Sequence, residues 1–284
     1  MRFGTSFGTL IGLGLASAAS AQEQMLGDLE RIGKPIPNGI NFQPAATELA
    51  RDIHWLDNTL LVVITLISLF VVGLLAYCAV KFRAEVNPTP ARFTHNTQIE
   101  VAWTIVPILI LIGIGSISLP ILFKQVEVPE ADITIKTTGY QWYWGYEYPD
   151  HNIYFDSLML AEDELEEFGY QPDEYLLATD TAMVVPVNAV VKMQVTAADV
   201  IHSWKIPAFG VHMDAVPGRL NETWFKAEQE GVYFGQCSEL CGIAHAYMPI
   251  TVKVVSQEAY ELWLDDAIER LAGTPREITV AAAE

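Results

Sequence analysis

Two long stretches without a single charge limit what this chain can become. One lies between Leu60 and Val80, the other between Val101 and Phe123. Each is long enough to cross the hydrocarbon core of a bilayer, which takes about 20 apolar residues as a helix. A short basic connection, with Lys81, Arg83 and Arg92 against Glu85, joins them. The positive-inside rule puts that connection in the cytoplasm, so both chain ends face outward. The expected spans are about 58–80 and 100–123, within a hairpin of residues 58–126. Pro107 is expected to kink the second span, and Cys78, near the end of the first, reads as an apolar filler.

The first residues agree with this topology. Arg2, a weakly apolar run and Ala19-Ser20-Ala21 read as a secretory signal peptide, residues 1–21, cut before Gln22. Residues 22–57 read as an outer N-terminal arm, and 127–284 as a soluble outer domain. That domain carries 27 acids against 8 Lys and Arg, and the segment before it is neutral. Such a field argues against a nucleic-acid partner, and it suits equally a basic protein steered from a distance or simply a domain kept soluble by its charge.

Within the outer domain, short β-branched and aromatic runs are broken by Gly, Pro and Asn. This pattern predicts an antiparallel sandwich or barrel. The acidic insert SLMLAEDELEEFGYQPDEYLLATD is expected to be partly helical or looped. Ser256 caps a predicted C-terminal helix. Trp224 and Trp263 read as core, while His54, His95 and His151 receive no role.

The chemistry concentrates in FGQCSELCGIAHAYMPI, residues 234–250. Cys237 and Cys241 are separated by three residues; His245 follows four after Cys241 and Met248 three after that. An external Cys pair alone would favour a disulfide. The added imidazole and thioether favour a metal. Cysteine count excludes a four-Cys iron–sulfur cluster, and zinc rarely takes Met. Thiolate, imidazole and thioether together suit copper. Two thiolates can bridge two copper ions, which then need a second histidine. His151, His202 and His212 are the candidates, and His202, at the end of an apolar strand before a turn, is the best placed.

With HSWKIPAF and DAVPGR upstream, Cys-x-Glu-x-Cys-x3-His-x2-Met closely resembles subunit II of the haem–copper cytochrome c oxidases of bacteria and mitochondria. The likeness covers both spans and the whole outer domain. It implies a two-helix transmembrane hairpin followed by an all-β cupredoxin-like Greek-key barrel. It also implies a dinuclear copper (CuA) centre held by His202, Cys237, Glu239, Cys241, His245 and Met248. Glu239 would give its backbone carbonyl to copper and its side chain to a magnesium ion shared with subunit I. Trp142, within the aromatic run GYQWYWGYEYP, would receive the electron from cytochrome c. Glu147, Asp156, Asp180 and Asp199 would attract that partner, and Glu100 would stand at the mouth of a proton path. Asp214 and Arg219 would organise the contact with subunit I.

The implied setting is the bacterial inner membrane, with the large domain in the periplasm and further oxidase subunits and lipid around the helices. The chain departs from the family pattern at Tyr140, where His is frequent, and at His212, where Lys is. A quinol oxidase subunit would lack the copper ligands. Nitrous oxide reductase shares the two-copper motif but carries a further catalytic domain and no spans. A thiol-based copper chaperone would not be expected to add the trailing His and Met.

Overall fold

The computed structural model describes residues 29–272. The signal peptide expected at residues 1–21 lies outside the described residues. The chain divides into two compact units, one of residues 52–124, the other joining the preceding residues to 125–284.

The first unit is a helical hairpin, the greater part of helices α1, Glu48–Lys81, and α2, Thr97–Val126. Both are long and apolar enough to cross a membrane, and among the described residues nothing in their apolar windows is buried. Exposed side chains such as Leu69 and Phe70 are what a helix facing lipid or another subunit presents. An ion pair of 2.7 Å between Asp52 and Lys124 joins the start of one helix to the end of the other.

The helices reach past the uncharged runs. Helix α1 begins ten residues before the expected start of the span at 58, inside the stretch read as an arm. Thr47 is the reason: its Oγ1 accepts from the Ala50 N–H at 3.0 Å and donates to the Phe209 carbonyl at 2.7 Å. Helix α2 begins where Asn96 Oδ1 accepts from the Gln98 and Ile99 N–H groups. It runs on through Pro107 and Pro120.

The outer domain is a mixed β structure. Its strands are β1 Arg31–Gly33, β2 Ile133–Tyr140, β3 Tyr143–Tyr148, β4 Ile153–Ser157, β5 Met183–Pro186, β6 Val190–Ala197, β7 His202–Ile206, β8 Val211–Ala215, β9 Asn221–Lys226, β10 Gly231–Gln236 and β11 Pro249–Val255. They form a sheet in the order β4-β3-β2-β6-β9, a second in the order β1-β10-β11-β5, and the ribbon β7-β8. The fold is cupredoxin-like, β-rich with an apolar centre.

The pairing is not purely antiparallel. β1 with β10, β5 with β11 and β2 with β6 all run parallel. The alternation of a strand reports which face is buried and is silent on the direction of its neighbour, so this correction lay beyond the pattern. Trp144, Tyr146, Tyr148, Trp204, Phe209, Phe225 and Trp263 fill the centre. Trp224, on β9, is also buried.

The acidic insert forms turns with one short 3-10 segment, Pro172–Glu174, rather than an α-helix. It shelters a small second core of Leu160, Leu165, Tyr170, Ala178, Val232 and Phe234. Arg31 of β1 reaches across to it. The guanidinium donates to the Leu29 and Gly169 carbonyls and lies 3.6 Å from the fully buried carboxylate of Glu174. Helix α3, Gln257–Leu271, closes the chain, with Ser256 Oγ accepting from the Ala259 N–H at 3.2 Å.

Candidate metal centre

β10 and β11 form an antiparallel pair that ends at Gln236 opposite Pro249. Residues 237–248 are therefore one hairpin loop, with Cys237 and Met248 at its neck. The loop bends back on itself at Gly242, whose φ of +122° favours glycine. His245–Tyr247 form a single 3-10 turn that brings His245 over Cys241. The loop is tied to the neighbouring ribbon where the Ser238 N–H donates to the Ser203 carbonyl at 3.0 Å. His202, first residue of β7, thereby faces the loop from beside it.

Soft and borderline donors converge here. The sulfurs of Cys237 and Cys241 lie 3.9 Å apart and are not bonded to each other. His202 Nδ1 lies 3.9 Å from the Cys237 sulfur, and His245 Nδ1 lies 3.5 Å from the Cys241 sulfur. Met248 Sδ is 3.5 Å from the Cys241 sulfur, and the Glu239 carbonyl oxygen is 3.4 Å from the Cys237 sulfur. The ligand atoms of His202, Cys237 and Cys241 all fall within 4.8 Å of one another, and all three residues are buried. Each sulfur thus has its own imidazole nitrogen. The thioether lies against the Cys241 sulfur and the carbonyl against the Cys237 sulfur.

The electrostatics favour a cation. Burial pushes the Cys237 thiol up, but hydrogen bonds from His202 and from backbone groups at Ser203 and Glu239 outweigh it and bring the thiol down to about 7. Burial and the neighbouring Cys237 charge push Cys241 up to about 12. Burial also opposes a charge on His202, yet its hydrogen bonds with Cys237 and Asp199 leave its pKa raised. Two thiols this close cannot both ionise without a positive charge between them, and a soft metal ion replacing their protons supplies one. The donor set fits a pair of copper ions, as expected from the sequence.

The surroundings fix the two arms. Asp199 Oδ1 lies 2.8 Å from His202 Nε2, which leaves Nδ1 turned to the sulfurs. Gly139 of β2 lies flat beneath that ring; a Cβ there would come within 2.9 Å of two ring carbons. Trp144 Nε1 donates to the Met248 carbonyl at 3.3 Å, and Trp142 Nε1 to the Cys241 carbonyl at 3.2 Å.

The structure brings His202, Cys237, Glu239, Cys241, His245 and Met248 together, with Trp142 against the loop. The four acids differ in their surroundings. Glu147 pairs with Lys136 across β2 and β3 at 2.9 Å. Asp156 accepts from the Tyr154 hydroxyl at 2.6 Å, and Asp180 from the Leu158 N–H at 2.8 Å. Asp199 is committed to His202 and to the Gln141 N–H. Glu100 lies apart, in the first turn of α2, where its carboxylate accepts from the Asn96 N–H at 3.3 Å. Lys205 stands directly across the ribbon from His212.

Sequence reading missed Gly139, Gln141 and the second duty of Asp199. Only Asp199 left a local trace, an acid three residues before the histidine it holds.

Residues 35–121 match the family described as cytochrome c oxidase subunit II, transmembrane domain, and residues 133–255 match its periplasmic domain. Cytochrome c oxidase subunit 2 of Cereibacter sphaeroides is 60% identical over 270 residues, covering 90% of this chain and 88% of that one. The mitochondrial subunit 2 of Vigna unguiculata is 41% identical over 242 residues, covering 83% and 63%. A crystal structure of the periplasmic domain of subunit II of cytochrome oxidase from Bradyrhizobium japonicum is 55% identical. It covers 51% of this chain and all of its own, with a TM-score of 0.47. With both halves matched in order and a relative 60% identical over nine-tenths of the chain, the chain belongs to the cytochrome c oxidase subunit II family.

Proposed function

We propose that the chain is the electron-accepting subunit of a cytochrome c oxidase, taking electrons from reduced cytochrome c and handing them to haem in subunit I, where oxygen is reduced to water. The observation that carries this reading is the pair of unbonded sulfurs 3.9 Å apart, each with its own imidazole nitrogen. His202, Cys237, Glu239 through its carbonyl, Cys241, His245 and Met248 would hold the metal. When bound, two copper ions there supply a one-electron couple whose charge is spread over both.

The residues around the loop divide the remaining work. Burial of Cys237, Cys241 and Met248 keeps water from the sulfurs. The rigid β10–β11 neck and the His202 strand keep the donors nearly still as charge changes, which keeps reorganisation small. Trp142 presents a ring against the loop, bonded to the backbone of a ligand, and is the port for the electron. Glu147, Asp156, Asp180 and Asp199 give the outer face the negative field that a basic cytochrome c would follow. The exposed side chain of Glu239 is available to a magnesium ion at the subunit I contact, and Asp214 and Arg219 serve the same contact. Glu100 opens the proton path.

The helices α1 and α2 lie among lipid and other oxidase subunits in the bacterial inner membrane, with the β domain in the periplasm after removal of residues 1–21. The test is copper content per chain together with electron spin resonance of the assembled oxidase. Two coppers and one spin shared between them are expected. A single copper, or a disulfide between Cys237 and Cys241 in the working protein, would overturn the reading.

A further inference from the structure

Cys241 belongs to the hairpin loop and His202 to β7, and the Ser238–Ser203 backbone bond ties the loop to the ribbon only on the Cys237 side. A short chain of hydrogen bonds joins Cys241 and His202, and it runs through Gln141. This residue and Trp142 are the two-residue turn between β2 and β3, since Tyr140 pairs with Tyr143. The Gln141 N–H donates to Asp199 Oδ2 at 2.7 Å, while Asp199 Oδ1 holds His202 Nε2 at 2.8 Å. The Gln141 side-chain amide Nε2 donates to the Cys241 carbonyl at 2.8 Å. Trp142 Nε1 gives that same oxygen a second bond at 3.2 Å. A carbonyl has two lone pairs, so the two side chains of the turn fill its acceptor capacity.

The next residue makes room for them. A Cβ at Gly242 would lie 3.0 Å from Trp142 Cζ2 and 3.2 Å from Gln141 Nε2. The contact is thus built from both sides, by a turn that offers two donors and a loop that leaves space for them.

We propose that Gln141 is a positioning residue for the copper centre, a bracket that fixes the Cys241 peptide relative to His202 through Asp199. The proposal rests on the copper reading above. It gives Gln141 a task separate from contact with a redox partner: its backbone serves the histidine arm and its side chain the cysteine arm. Gln141 itself is exposed, so its side chain contributes little to the core, and substitution leaves the packing of the domain in place.

The test compares wild-type oxidase with Gln141→Leu, which keeps the backbone N–H to Asp199 and removes the side-chain donor. Three readouts are followed: the copper spin-resonance hyperfine pattern, the rate of copper loss to a chelator, and KM for cytochrome c. The expected result is an altered hyperfine pattern and copper loss faster by about fivefold, the scale of one net hydrogen bond. Gln141→Glu keeps the shape of the side chain but replaces its donor with an acceptor, and is expected to show the same signature if the leucine variant does not assemble. Wild-type spectra and copper loss in both variants overturn the proposal, as does a change confined to KM, which would make Gln141 a docking residue only. Absence of the two-copper signal from the wild-type protein would instead overturn the underlying reading of the site.

Discussion

Asp199 and His202 are linked at 2.8 Å through the ring nitrogen that faces away from the sulfurs. A histidine in the third position after an acid could have turned either nitrogen inward. The carboxylate settles the choice, because it accepts from Nε2–H and leaves the Nδ1 lone pair for a metal.

Removing that carboxylate should cost metal before it costs fold. Asp199→Leu is expected to weaken copper binding by about 10- to 100-fold, the usual penalty for losing such an outer partner. Asp199→Asn keeps an oxygen acceptor and should lose less. Competition with a copper chelator measures both, and equal affinity in wild type and Asp199→Leu would show the contact to be idle.

Gly139 offers a route to the same ligand without touching the donor set. The added methyl of Gly139→Ala would press on His202 ring carbons at 2.9 Å. The ring must shift, so the variant should fold, carry less copper and show a changed spin-resonance spectrum. A wild-type spectrum at full copper content would mean that β2 yields instead of the imidazole.

The arm and the insert should report through stability. Arg31→Met removes the cation 3.6 Å from the buried Glu174 carboxylate, which keeps only its Gln171 N–H bond, and is expected to cost about 1–3 kcal/mol. Arg31→Met with Glu174→Gln removes the stranded charge and should recover much of that loss. Denaturant unfolding followed by tryptophan fluorescence checks the sign. A double variant no more stable than the single one would place the loss in the Arg31 bonds to the Leu29 and Gly169 carbonyls.

Association with cytochrome c should slow as salt rises. Asp156→Asn with Asp180→Asn is expected to lower the low-salt association rate several-fold and to flatten its salt dependence, with copper content unchanged, because these charges steer the encounter more than they hold the complex. Stopped-flow reduction across an ionic-strength series measures this. Unchanged slopes would move the steering field to other acids of the domain.

The convergence of Cys237, Cys241, His245 and Met248 was legible in the sequence because these residues lie close along the chain, at spacings that a hairpin loop can gather. His202 was legible less directly, as a histidine at a strand end. Gln141 and Gly139 were not, because they act through contacts between distant segments, and Asp199 left only the faint trace of an acid three residues before His202. Gln141 meets Cys241 across 100 positions and Asp199 across 58, and no local pattern encodes such meetings. Helix lengths were legible only as minima, since absence of charge marks a lipid-compatible stretch and says nothing of where capping by Thr47 or Asn96 begins a helix. The acidic insert, expected to be partly helical or looped, forms turns with one short 3-10 segment, whose start is capped where Glu174 accepts from the Gln171 N–H at 2.6 Å.

The three residues of β1 precede both membrane helices in the chain, yet they pair with β10, some two hundred positions later. A ribosome makes this strand first and its mate nearly last. Until the intervening hairpin has been threaded, β1 must wait without a neighbour, and the loop bearing Cys237 emerges only as β10 is finished. The pocket lined by Cys237 and His202 is therefore completed late, only once the hairpin and most of the β domain have been made.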